Sequence, residues 1–127
     1  MAKEVIPIRK VFKINNFRKS FKAAFKGIIF LFLYHRNMRI IFLCGLSAAL
    51  LGIYLKLKGI ELIALCITIT LVFMAEIFNT AIEMLMNIIS EEYKTRIRIV
   101  KDIAAGIVLI ACINALLIGY ALFLRRL

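Results

Sequence analysis

Three long apolar runs dominate the chain, at residues 40–55, 62–89 and 103–124. The first would rise about 24 Å as a helix, and the other two are long enough to cross a bilayer. Strands are disfavoured, because three segments of one chain cannot close a barrel and open sheet edges are not tolerated in hydrocarbon. The pattern therefore predicts an all-α membrane protein with three transmembrane helices.

A fourth segment, residues 12–34, has a different pattern. Its apolar residues recur at i, i+4, i+7 and i+11, at Phe17, Phe21, Ala24 and Ile28. Its basic residues lie mostly on the opposite side, at Arg18, Lys19, Lys22 and Lys26. This pattern is typical of a helix that lies in the membrane interface. A nucleic-acid-binding arm is disfavoured, because its aromatic residues would interleave with the basic ones. We expect no nucleic-acid partner.

Composition agrees with a membrane protein. Of 127 residues 64% are hydrophobic, yet 18 Lys and Arg oppose 7 Asp and Glu, giving a formal net charge of +11. A soluble domain would be nearer half apolar, so we expect one domain over 1–127 with a basic water-facing side. Cys44, Cys66 and Cys112 each lie inside an apolar run. They are interpreted as small hydrophobic residues rather than as disulfide partners or zinc ligands.

The basic residues predict the orientation. Ten Lys and Arg precede the first run and four lie in the loop 90–102, whereas only two follow the first run and two end the chain. Because positive charge is enriched in cytoplasmic segments, we expect a cytoplasmic N-terminus and a cytoplasmic 90–102 loop. The protein would be a multi-pass protein of the inner (cytoplasmic) membrane.

Small residues form a stripe on the third run and a shorter one on the first: Ala104, Ala111, Ala115, Gly119 and Gly45, Ala49, Gly52. Small residues let helix backbones approach closely in lipid. Spacing does not decide whether the partner helix belongs to this chain or to a second subunit. Three thin spans enclose little, so we expect a homo-oligomer.

The second run carries a polar stripe of Glu76, Asn79, Glu83 and Asn87. Spacings of 3, 4 and 4 keep these residues within roughly 80° of the helix circumference. A carboxylate at membrane depth costs about 2.5 kcal/mol or more, so the stripe is a candidate functional site. With the 90–102 loop in the cytoplasm, the stripe descends from the cytoplasmic end into the bilayer.

Several chemistries fit this stripe. Carboxylates close to water could hold a hard divalent cation, and a deeper, partly desolvated one could act as general base on a hydroxyl. Basic residues of the 90–102 loop, with Lys101 and Asp102 at the start of the third run, could neutralise phosphate oxygens, as phosphoryl transfer requires. A proton or ion relay and purely structural hydrogen bonds between helices remain open alternatives. No Gly-rich phosphate loop occurs in the sequence.

Five motifs carry a family resemblance. The stretches EIFNTAIE at 76–83, SEEY at 90–93 and KDIAAG at 101–106 resemble the prokaryotic diacylglycerol kinase family. The stretches KSFKAAFKG at 19–27 and RNMRI at 36–40 are more similar to its undecaprenol kinase branch. The resemblance extends over about residues 15–124, nearly the whole chain.

This resemblance implies a homotrimer of three-span subunits with active sites shared between subunits. The implied reaction transfers the ATP γ-phosphoryl group to the hydroxyl of a lipid substrate, undecaprenol or diacylglycerol, at the cytoplasmic face, with Mg²⁺ as cofactor. The alternative class is a catalytically degenerate or non-enzymatic helical membrane protein that serves as a proton relay or binds a partner.

The resemblance also implies residue roles. Glu76 would be the catalytic base, with Asn79 as a hydrogen-bonding support, and Glu83 would hold the metal on the phosphates. The ATP would be bound by Glu83, Glu92, Tyr93, Lys94, Lys101 and Asp102. The lipid would enter past Ser20 and Lys22 toward Glu76.

Two positions depart from the family pattern. His35 stands where the family usually has a Glu that joins the metal site, and Asn87 stands where it usually has an Asp. Each change removes a negative charge. The His35 imidazole can ligate a metal but suits transition ions better than magnesium; the alternative is that His35 is an interfacial residue with no catalytic role. Magnesium keeps several waters, so that Glu83 with substrate phosphates can suffice. Reduced activity, a changed metal preference or lost turnover are all compatible with these changes.

Overall fold

The computed structural model describes residues 17–89, 92 and 94–126. Its helices are α1 (Phe17–Tyr34), α2 (Arg36–Tyr54), α3 (Ile60–Ile88) and α4 (Lys94–Gly119), and a π-helical segment, Tyr120–Leu124, continues α4. Within those residues there is no strand, which confirms the all-α prediction. The chain divides into two compact units, Met1–His35 and Arg36–Leu127.

The N-terminal unit contributes the amphipathic helix α1. Phe17, Phe21 and Phe25 project from it at intervals of four residues and are all exposed, as are the basic side chains between them. The helix ends at Tyr34, after which the His35 N–H still donates to the Leu31 carbonyl at 2.9 Å. Residues 12–16, where the predicted helix began, lie outside the described residues. Placement of α1 in the membrane interface stays a prediction.

The second unit contains three helices long and apolar enough to cross a membrane. They are Arg36–Tyr54, Ile60–Ile88 and Lys94–Leu124, of 19, 29 and 31 residues. The three predicted transmembrane helices are therefore confirmed.

The helix boundaries differ most at the start of α4. The sequence predicted a loop over 90–102 and a span from 103, whereas α4 begins at Lys94, so the loop prediction was wrong for 94–102. Similarly, α2 begins at Arg36 rather than at 40. The apolar run marks only the part of a helix that suits lipid. Lys and Arg are good helix formers, and the helical backbone continues through them before each apolar run.

Helix α3 lies between its neighbours, packing most extensively against α4 and less against α2. Phe42 and Phe73 contact edge to face with ring centroids 6.2 Å apart, and Arg126 beyond the π-helical segment forms an ion pair with Glu61 at the start of α3. A core of Leu57, Leu65 and Leu122 lies at the same end as this ion pair. Both neighbours therefore run antiparallel to α3.

The small residues of α2 pack within the chain. A Cβ atom on Gly45 would lie 3.2 Å from Ile69 Cγ2, so that α2 and α3 approach closely there. On α4, Ala104 is only 2% exposed, whereas a Cβ on Gly119 would meet nothing within 4 Å. The α2 stripe thus has a partner helix in its own chain, and the α4 stripe is only partly covered.

Other polar residues within the spans have local partners. The hydroxyls of Ser47, Thr68 and Thr70 each donate to the backbone carbonyl four residues earlier, at 2.8, 2.7 and 2.9 Å. Such bonds satisfy a hydroxyl inside lipid without a neighbouring helix. Cys44, Cys66 and Cys112 are free thiols, and their interpretation as small hydrophobic residues stays a prediction.

Candidate functional site

The polar stripe of α3 runs from buried to exposed positions along the helix. Glu76 is 6% exposed and Thr80 4%, Asn79 is half-buried, and Glu83 and Asn87 are exposed. About 10 Å of helix axis separates Glu76 from Glu83. The stripe therefore offers one carboxylate shielded from water and another that is accessible from the α3–α4 connection.

The exposed end of the stripe meets the start of α4. The Lys101 ammonium donates to the Asn87 side-chain oxygen at 3.0 Å. Around this hydrogen bond lies a pocket of about 450 Å³ formed by both helices, here called the basic pocket. Its lining residues are Met86, Asn87, Ile89, Lys94, Ile97, Arg98, Lys101 and Asp102.

A second, apolar cavity lies on the other side of Glu76. Its volume is about 400 Å³, and all three spans line it. On α3 its lining includes Leu65, Ile69 and Val72, and the 3.6-residue period carries this helix face on to Glu76 and Glu83. The cavity begins about one helical turn beyond Glu76. A hydrocarbon chain bound there would bring its polar end close to the buried carboxylate.

The structure brings together only some of the predicted site residues. Lys94, Lys101 and Asp102 line the basic pocket, and Glu92 is exposed in the connection before α4. Tyr93 lies outside the described residues. Three others belong to the N-terminal unit: Ser20 and Lys22 are exposed on α1, and the half-buried His35 follows it, with its ring 6.2 Å from that of Phe30.

The exposed Glu83 carboxylate suits a magnesium ion whose other ligands are phosphate oxygens and waters. It suits less well a metal ion that protein side chains alone would enclose. Residues 17–89, 92 and 94–126 contain no group of three or more His, Cys, Asp or Glu that could enclose a metal. Magnesium commonly takes only one or two carboxylates and completes its shell with phosphate oxygens and waters. The exposed Glu83 carboxylate can supply such a ligand.

Arg98 lines the basic pocket, although the sequence did not distinguish it from the other basic residues of a supposed loop. The spacing of Lys94, Arg98 and Lys101, i, i+4 and i+7, places all three on one helix face. This spacing has meaning only when the segment is known to be a helix rather than a loop.

Comparison with known proteins identifies the family. Residues 22–123 match the sequence profile of prokaryotic diacylglycerol kinase. The chain belongs to this family. As a member of the prokaryotic diacylglycerol kinase family, it carries the stripe, the basic pocket and the apolar cavity within the matched region, which also includes most of α1.

Two relatives of this diacylglycerol kinase family member are named as different kinases. A diacylglycerol kinase from Synechocystis sp. is 34% identical over 110 residues, which are 86% of this chain and 63% of that protein. An undecaprenol kinase from Bacillus subtilis is 30% identical over 115 residues, which are 91% of this chain and 94% of that protein. The chain thus spans less than two thirds of the Synechocystis relative and nearly all of the Bacillus one.

Proposed function

We propose that the protein is an integral membrane lipid kinase that transfers the γ-phosphoryl group of ATP to a lipid hydroxyl. Family membership supports this class of reaction. The observation that carries the proposal is the position of Glu76: a buried carboxylate on one helix face between an apolar cavity and the stripe that leads to a basic pocket. The lipid alcohol needs an apolar environment for its hydrocarbon body, and the phosphate donor needs a basic one for its phosphates.

In the proposed reaction Glu76 accepts the proton of the lipid hydroxyl. The hydroxyl oxygen forms a bond to the γ-phosphorus, the bond from that phosphorus to the β–γ bridging oxygen breaks, and ADP leaves. Asn79, one turn along from Glu76, supports the hydroxyl by hydrogen bonding. Positioning and charge neutralisation account for most catalysis of phosphoryl transfer, so a fixed, shielded base suits the task.

ATP, the phosphate donor, is proposed to bind at the exposed end of the polar stripe. Magnesium, when bound by Glu83 and phosphate oxygens, neutralises charge on the transferring group. Lys94 and Lys101 attract phosphate oxygens, and Glu92 and Asp102 offer acceptors to ribose hydroxyls or order the connection. Tyr93 and the N-terminal residues complete the proposal: His35 near the metal, and Ser20 with Lys22 at the lipid entry.

The acceptor is proposed to be a long-chain lipid with a primary hydroxyl, undecaprenol or diacylglycerol. The Bacillus relative is named for the first and the Synechocystis relative for the second. The apolar lining of the cavity suits either hydrocarbon body. We further propose that the protein works as a homotrimer with shared sites, in the inner membrane, with a cytoplasmic N-terminus that places the basic pocket on the side of cellular ATP.

The test is a turnover assay with a matched pair of variants. Purified protein with MgATP and either lipid should yield phosphorylated lipid, and Glu76→Gln should lower kcat by about 10²–10⁴-fold, the range typical of a lost general base. Glu61→Gln makes the same chemical change on the same helix at the other end and should keep activity. Size-exclusion chromatography should show that both variants assemble like the unmodified protein.

Two results would contradict the proposal. Equal loss of activity in Glu76→Gln and Glu61→Gln would show that Glu76 is not the catalytic base. No turnover with undecaprenol or diacylglycerol, across Mg²⁺, Mn²⁺ and Zn²⁺, in protein that assembles normally would favour the non-enzymatic class.

A further inference from the structure

The basic pocket contains one cation, Arg98, to which the proposed function gives no role. Of the lining residues that the structure describes, Lys94, Arg98 and Lys101 are cations and Asp102 is the one carboxylate. The excess of two positive charges lies in a concave site rather than along an open helix surface. Anions are attracted to concave sites lined by one sign of charge.

Asn87 gives one of these cations a fixed position. Its side-chain oxygen accepts a hydrogen bond from the Lys101 ammonium at 3.0 Å. A neutral amide holds the ammonium without cancelling its charge, whereas a carboxylate there would form an ion pair. Lys101 is therefore oriented at the pocket and keeps two of its three N–H donors for a ligand.

Arg98 lies one turn before Lys101 on the same face of α4. Its planar guanidinium can donate two parallel hydrogen bonds to neighbouring phosphate oxygens, which a lysine cannot do. A guanidinium and an oriented ammonium on successive turns match an anion with more than one phosphate group.

We infer that Arg98 contacts phosphate oxygens directly in the basic pocket and that Asn87 is a positioning residue for Lys101. The ligand chemistry is a phosphate chain, and the source we assign is the nucleotide. That assignment rests on the proposed function. The same oxygens could come from the headgroup of an anionic lipid, so the experiment has an arm for each source.

The principal test compares Arg98→Ala with Arg96→Ala. Both remove one guanidinium from the same helix, but the two side chains lie about 200° apart around the axis, and Arg96 is exposed and does not line the pocket. Binding of ATP and of inorganic tripolyphosphate is measured by calorimetry in neutral detergent. Arg98→Ala should weaken both by about tenfold, as expected for lost charge-assisted hydrogen bonds, and Arg96→Ala by less than about twofold. Arg98→Lys should recover part of the loss.

Asn87 is tested through its coupling to Lys101. Asn87→Leu should raise the KM for ATP with a smaller effect on kcat. In the Lys101→Ala background the same change should add nothing, because the side chain that it orients is gone. A purely structural role for Asn87 would instead give additive effects in this double-mutant cycle.

Each outcome decides one proposal. Equal affinities of Arg98→Ala and Arg96→Ala for tripolyphosphate would overturn the site, even if the unmodified protein phosphorylates lipid. Loss of tripolyphosphate binding in Arg98→Ala, with no lipid turnover by the unmodified protein, would retain the site and reject the kinase proposal. If Arg98→Ala keeps full ATP affinity but loses activation by phosphatidylglycerol vesicles, the phosphate is a lipid headgroup and the nucleotide assignment fails.

Discussion

Gly52 of α2 lies directly against Leu65 of α3: a Cβ atom built on Gly52 would stand 2.7 Å from Leu65 Cδ2 and 3.3 Å from Leu57 Cδ1. Leu57 and Leu65 are both buried, and they form one core cluster with Leu122. The contact therefore joins α2 to the core that α3 shares with the end of α4. A side chain at 52 has no free space to occupy.

We predict that Gly52→Val destabilises the fold by about 1–3 kcal/mol, the usual range for overpacking a core. Leu65 has to leave its position or α2 has to move away from α3. Gly106→Ala is the control, because a Cβ there meets nothing within 4 Å. Thermal unfolding in detergent, followed by circular dichroism, should separate the two variants. A midpoint for Gly52→Val equal to that of Gly106→Ala would show that the α2–α3 contact adapts freely.

The turn after α2 gives a second prediction about stability. Lys56 has φ of 60°, the left-handed conformation that commonly ends a helix and that glycine adopts most easily. The Leu57 N–H donates to the Gly52 carbonyl at 3.0 Å and the Lys56 N–H to that of Ile53 at 3.1 Å. These two bonds form a Schellman motif, with a lysine at the position where glycine is preferred.

Lys56→Gly should therefore stabilise the protein by about 1 kcal/mol, because the backbone strain of a left-handed lysine is removed. Lys58→Gly deletes the same charge two residues later, where φ is not positive, and should be neutral or destabilising. The measurement is the unfolding midpoint of both variants in the same detergent. A lower midpoint for Lys56→Gly than for Lys58→Gly would contradict the assignment.

The sequence predicted the three spans and the position of the stripe well, since both depend on the periodicity of one helix at a time. The burial gradient from Glu76 to Asn87 also follows from position along α3. Contacts between distant parts of the chain were not predictable. The ion pair of Glu61 with Arg126 joins residues 65 positions apart, and no local pattern selects those partners.

The start of α4 shows why the residues of the basic pocket were only partly predicted from the sequence. Charged residues before residue 103 were interpreted as a loop, because hydrophobicity was taken to define the helix. In the structure the backbone stays helical through them, so that Arg98 and Lys101 share a face while Arg96 points elsewhere on the helix. Residues that differ only in angle around a helix are indistinguishable until its start is known.

The proposed orientation predicts a labelling pattern. In a variant whose three cysteines are replaced by Ala, Lys58→Cys lies in the turn between α2 and α3, and Thr95→Cys lies in the first turn of α4; both positions are exposed. With a cytoplasmic N-terminus, a membrane-impermeant maleimide should label position 58 in intact cells and position 95 only after permeabilisation. The reverse pattern would place the basic pocket away from cellular ATP and reject the kinase proposal.

The last prediction concerns His35, at the position where the family resemblance implies a metal-binding Glu. If His35 adjoins the proposed metal, His35→Glu restores an oxygen ligand and a negative charge, both of which magnesium prefers over imidazole. The Mg²⁺ concentration for half-maximal lipid phosphorylation should then fall, and the rate at limiting Mg²⁺ should rise. His35→Gln is the matched control, since it has nearly the size of Glu without the charge. Identical Mg²⁺ titrations for His35→Glu and His35→Gln would show that position 35 does not contribute to metal binding, leaving Glu83 with the phosphates as the proposed ligands.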